Sequence, residues 1–147
     1  MLIEHTHLHL QSIPPDRGEF LLLKVLLDLE QAGAGLQFEN GLSPEMKDLF
    51  SDQSGRWEAL RAGAMAALLE AGVENATVCF VGVKFQDDSL PLALCEQLSK
   101  TCITRALADP VVTFTETGNR RELQRFKDRN AALLEAWSVN QLFNWIP

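Results

Sequence analysis

The block from Ala76 to Phe85, Ala-Thr-Val-Cys-Phe-Val-Gly-Val-Lys-Phe, is apolar on both of its alternating faces. Val78, Phe80 and Gly82 fall on one side, and Thr77, Cys79, Val81, Val83 and Phe85 on the other. A strand with one wet face alternates apolar with polar, so this pattern predicts a strand covered on both sides. Its β-branched and aromatic residues, its short length and the mid-run Gly82 argue against a helix. The remaining apolar segments read as elements arranged around it.

Leu2 to Ser12 alternates Leu2, Glu4, Thr6, Leu8 and Leu10 against Ile3, His5, His7, His9 and Gln11, which predicts a first strand stopped by Pro14-Pro15. Asp16-Arg17-Gly18-Glu19 has capping-box spacing. Phe20 to Ala32 then carries Lys24, Asp28 and Gln31 at i, i+4 and i+7, the single wet stripe of an otherwise buried helix. Leu36-Gln37-Phe38 suits a short edge strand. Ser43-Pro44-Glu45 is a strong helix start, reaching about Phe50. Ser54 to Ala71 and Leu90 to Leu107 read as helices, the latter after a cap cluster at Asp87-Asp88-Ser89. Val111 to Glu116 reads as a strand, and Asn119 with Glu122 caps a last helix from Arg120 to Trp137.

The resulting expectation is an α+β fold in a single domain over 1–147. Its sheet has three to four strands centred on residues 76–85, flanked by 2–12 and 111–117. About five helices pack on the sheet as a single layer. The helix between strands 76–85 and 111–117 has the length of a parallel crossover.

Composition narrows the class without naming an activity. An apolar share of 46% and a charged share of 22% are those of an ordinary folded protein. No run approaches the roughly 18 apolar residues of a membrane span, and the start lacks the features of a secretory signal. Three cysteines without paired spacing point to reduced thiols and a cytoplasmic setting. The net charge of −7 resides in residues 1–75, with 12 acids against 5 bases, whereas 76–147 carries 8 of each. That balance disfavours nucleic acid and suits a basic protein partner or a homo-oligomer.

The histidines form the chain's chemical constellation: its only three are His5, His7 and His9. On a strand they share one face, neighbours roughly 6–7 Å apart and the outer pair roughly 13 Å apart. A zinc site would use His5/His7 or His7/His9 with ligands from elsewhere; the bland alternative turns the imidazoles to solvent and Leu8 and Leu10 inward. His7-Leu8-His9 is similar to the His-hydrophobe-His strand of rolling-circle replication and transposition nucleases, in which a tyrosine attacks DNA. This chain has no tyrosine. His5-Thr6-His7-Leu8 resembles the first-strand metal motif of amidohydrolases, whose barrel needs about 250 residues and further histidines downstream. No nucleophile elbow, phosphate loop or dinucleotide fingerprint is present.

Arg121, Arg125 and Arg129 form one i, i+4 row, a candidate contact for an anionic partner. Leu142, Phe143, Trp145 and Ile146 make an apolar tail that needs a cover, either the parent core or a second subunit. The expectation is thus a non-catalytic, self-associating binding protein with no resident cofactor. One alternative is a small metal-binding protein or hydrolase holding zinc on the histidine strand. The other is a pocket protein for a small apolar or cationic ligand.

Overall fold

The computed structural model describes residues 1–13, 17–29, 33–85, 90–118, 120–129 and 131. Five strands, β1 (Leu2–Ile13), β2 (Arg17–Asp28), β3 (Leu36–Asn40), β4 (Ala76–Phe85) and β5 (Phe114–Thr117), form one mixed sheet in the order β3-β4-β2-β1-β5. Among the described residues there are four helices, α1 (Pro44–Leu49), α2 (Arg56–Glu70), α3 (Leu92–Ala108) and α4 (Arg120–Arg129). The fold is α+β as the pattern predicts, with one strand more and one helix fewer.

The difference is β2. Its Lys24 and Asp28 mimic the wet stripe of a helix, but the segment pairs antiparallel with β1 over its full length, from Leu2↔Asp28 to Ile13↔Arg17. Lys24 is not wet either: it is fully buried, and burial lowers its ammonium pKa to about 8 against the pull of Glu4. The expected cap at Asp16-Arg17-Gly18-Glu19 therefore has no helix to start; Arg17 onward is strand, and Asp16 lies outside the described residues.

A second correction concerns position. β4 buries one face under α2 and α3 while Thr77, Cys79 and Lys84 on the other are half-buried, and it lies between β3 and β2 rather than between the 2–12 and 111–117 strands. β2 occupies the centre. β4 and β5 do run in the same direction, because β4 is antiparallel to β2, β2 is antiparallel to β1, and β5 is parallel to β1. They are not neighbours, so the α3 crossover must pass over β2 and β1, which it contacts.

A bulge gives β4 its two apolar faces. Val25 stands opposite Phe80 while Lys24 stands opposite Gly82, so Val81 is the extra residue. The bulge changes the phase of alternation. Ala76, Val78 and Phe80 before it, and Val83 after it, all join the core that α2 and α3 cover. Trp57 of α2 meets the Phe80 ring edge-on at 5.4 Å, and Phe50 meets Phe85 at 6.0 Å. Around this core α1 starts at a true cap, Ser43 Oγ accepting from the Met46 amide at 3.4 Å.

Candidate functional site

The register of β1 decides which side the histidines occupy. Directly paired residues share a face, and Ile3, His5, His7 and His9 pair with Leu27, Val25, Leu23 and Leu21. Those leucines and the valine belong to the helix-covered core. The imidazoles therefore point at α3, not at solvent. His5 and His7 are 0% exposed and His9 is half-buried, while Leu8 and Leu10 on the other face are buried as well. The solvated-histidine expectation is wrong because β1 is an interior strand with two covered faces.

Burial of an imidazole is tolerable when its ring N–H finds an acceptor and the ring stays neutral. All three rings meet part of that demand at the β5 side. His5 Nδ1 lies 3.0 Å from the Val112 carbonyl oxygen, which can only accept, so Nδ1 carries the proton. Thr117 Oγ1 donates to the Leu8 carbonyl at 3.3 Å. The same Oγ1 lies within hydrogen-bond distance of His9 Nδ1 at 3.0 Å and of His7 Nε2 at 3.5 Å, so one hydroxyl bridges the Leu8 carbonyl and both rings. Gly118 makes the approach of β5 possible, since its φ of +138° suits glycine and a Cβ there would stand 2.8 Å from Leu10 Cβ.

This bonding leaves two ring nitrogens over. Nε2 of His5 and Nδ1 of His7 are buried and have no hydrogen-bond partner among the described residues. Desolvation is the main cause that lowers all three pKa values; His7 falls to about 3, with the neighbouring His5, His9 and Arg105 charges adding to the effect. The ladder is neutral at physiological pH.

His7 and His9 open onto a cleft of about 210 Å³ whose other walls are Thr117 and the α3 residues Leu94, Gln97, Leu98 and Thr101. The α3 wall combines an i, i+4, i+7 stripe (Leu94, Leu98, Thr101) with the neighbouring Gln97 amide. Among the described residues no lining side chain is formally charged, apart from what the imidazoles could gain by protonation.

Sequence reasoning found two of these residues as chemistry and missed three. Gln97, Thr101 and Thr117 carry no motif; only the β1–β5 pairing (His9↔Thr117) and the path of α3 bring them to the histidines. For zinc, no group of three His, Cys, Asp or Glu side chains suited to an ion occurs among the described residues. Cys79, Cys95 and Cys102 are free, and burial raises each thiol pKa.

The other candidate positions lie apart from the cleft. Arg121, Arg125 and Arg129 are exposed on α4, where Arg129 Nε donates to the Arg125 carbonyl. The apolar tail Leu142, Phe143, Trp145 and Ile146, with the cap residues Asp87, Asp88, Ser89 and Asn119, lies outside the described residues. Among the described residues no helix is long and apolar enough to cross a membrane.

Neither the family models nor the curated proteins contain a match to this chain.

Proposed function

We propose that this chain is a non-catalytic binding protein and that the histidine cleft holds a small-molecule ligand. The observation that carries the reading is a cleft that gathers His7, His9, Thr101, Thr117 and Gln97 beside the apolar Leu94 and Leu98. Convergent polar groups beside an apolar wall are what small-ligand sites are built from.

Binding is favoured over catalysis by the protonation state. General acid–base work is best served by a pKa near the working pH. With its pKa lowered to about 3, chiefly by burial, His7 is neutral at pH 7 and a weak base. The cleft is also small, below the roughly 300–1,000 Å³ of sites for drug-sized ligands.

Thermal-shift screening of the parent and of His9→Phe, which fills the mouth of the cleft, against a panel of small metabolites tests the reading. Compounds that raise the melting temperature of the parent should lose most of that effect in the variant. Equal stabilisation of both proteins would place binding elsewhere and end the proposal.

A further inference from the structure

The face of the sheet opposite the histidines is covered at one end and open at the other. Directly paired residues share a face, so two rows run across four strands there: Glu4–Leu26–Cys79–Glu39 and Leu2–Asp28–Thr77–Gln37. Leu2, Gln37 and Glu39 are exposed, and the other five are half-buried. Further along the same face Thr6, Leu8, Leu22 and Lys24 are fully buried.

The open end therefore sets three carboxylates, of Glu4, Asp28 and Glu39, around the apolar Leu2, Leu26 and Cys79. Positive charge reaches it from the Met1 ammonium, 3.8 Å from Asp28 Oδ1, and from buried Lys24 beside Glu4. Glu39 has no ion-pair partner among the described residues.

The same side of the sheet carries the basic row of the chain. Glu116 faces away from the histidines, and Lys127 of α4 pairs with it on that side. Arg125 and Arg129 stand two residues before and after Lys127, about 160° around the helix from it, so they point away from β5. Both are exposed, as are Arg120 and Arg121.

We infer that the chain forms a two-fold dimer in which the arginine row of α4 in each copy docks on the open, acidic end of the sheet in the other. The guanidinium groups meet the carboxylates, and the apolar stems of the arginines cover Leu2 and Leu26. The two surfaces lie on one side of one sheet, displaced across its strands. Two copies facing each other thus satisfy both contacts at once, and the assembly closes at two. The histidine cleft takes no part in this interface.

Sedimentation of the full chain tests the dimer with two charge reversals, Arg125→Glu/Arg129→Glu on the helix and Gln37→Lys/Glu39→Lys on the sheet, with circular dichroism to check the fold. The parent should sediment as a dimer. Each reversal opposes like charges at both symmetric contacts and should raise the dissociation constant by about tenfold or more. An equimolar mixture of the two reversals should restore the dimer, because each surface then meets its opposite. Overall charge predicts otherwise: the sheet reversal makes the net charge of −7 less negative and would strengthen association. Where a reversal unfolds the chain, Glu39→Gln or Arg125→Gln takes its place and should still weaken the dimer severalfold. A monomeric parent, a dimer that persists unweakened in either folded variant, or a mixture of the reversals that stays monomeric would each overturn the inference.

Discussion

On the side of α3 that meets α2, Gly63 comes so close that an added Cβ would collide with the Glu96 carbonyl oxygen. Ser99, fully buried, donates to the Leu60 carbonyl at 2.6 Å, and Cys95, Leu98, Cys102 and Ile103 join the core. On the side that meets β1 and β5, the same helix stands off and leaves the cleft of about 210 Å³. The difference lies in residue type. Glycine and serine let backbones touch, whereas the imidazoles are large, polar and bonded to Thr117 and Val112, so they resist close approach by α3. One contact of α3 is closed and the other leaves a cleft.

The largest expected effect breaks the tight side. In Gly63→Ala the new methyl meets backbone atoms of Glu96 and Lys100, which no rotamer change can relieve. Overpacking costs typically about 1–3 kcal/mol, and alanine returns up to about 1 kcal/mol through helix propensity. Because the obstruction is backbone, we expect a net loss of about 2 kcal/mol or more in urea unfolding. A neutral or stabilised variant would mean that α2 and α3 separate easily, and the contrast between the two sides would fail.

The next effect distinguishes the sides by pH. The histidine ladder is neutral in the fold, so between the lowered folded pKa of His7, about 3, and the unfolded value near 6.5 the unfolded chain binds a proton that the native state does not. Stability therefore rises with pH across that window and is lost on acidification, by up to about 1.4 kcal/mol per pH unit for one such group. Going from pH 6.5 to 4.5 should cost about 2 kcal/mol through His7, with His5 and His9 acting in the same direction. His7→Leu should flatten this limb by roughly one proton in urea unfolding across pH. Parallel pH curves for parent and variant would show that His7 is not held neutral. Among the described residues the ion pair between α2 and α3 is the exposed Lys100–Glu70 pair at 2.8 Å, so the stability of this contact should change little over the same pH range.

The tight side was largely legible in the sequence, because its signals are local. Trp57, Leu60, Ala64 and Leu68 lie on one helical face, and the small run Ala62 to Ala67 suits close approach, though to a helix or to the sheet alike. The cleft was not legible, for two physical reasons. A strand buried on both faces has no period: β2 reads as Leu-Leu-Leu-Lys-Val-Leu-Leu-Asp, and the spacing of Lys24 and Asp28 fits a helix as well as a doubly covered strand. With β2 misread, β1 had no antiparallel partner to bury its histidines.

The second reason lies in β4. Its bulge at Val81 swaps faces mid-strand, so fixed alternation separates Phe80 from Val83 although both lie on the core face. Apolarity on both faces of 76–85 implied coverage, which is complete on the core face and partial on the other, and carried nothing about rank in the sheet. Thr117 could only be found through the pairing of β5 with β1, a contact between residues more than a hundred positions apart.

The smallest expected effect tests whether the wall of the cleft depends on what lies beyond it. Thr117 faces the histidines, and strand alternation puts its neighbour Glu116, paired with Leu8, on the opposite face of the sheet. There Glu116 forms an ion pair with Lys127 of α4 at 2.5 Å, with side chains 28% and 38% exposed. Exposed pairs of this kind contribute about 0.2–1 kcal/mol and are screened by salt. Lys127→Ala should thus lower stability by about 0.5 kcal/mol at low ionic strength and less at 1 M salt. Because Thr117 is held from the other face, by Leu8, His7 and His9, the imidazole resonances should not move in this variant. A shift of the His7 or His9 nitrogens in Lys127→Ala would show that α4 sets the position of Thr117. The cleft would then be shaped by contacts on both faces of β5, and its independence from the rest of the fold would be lost.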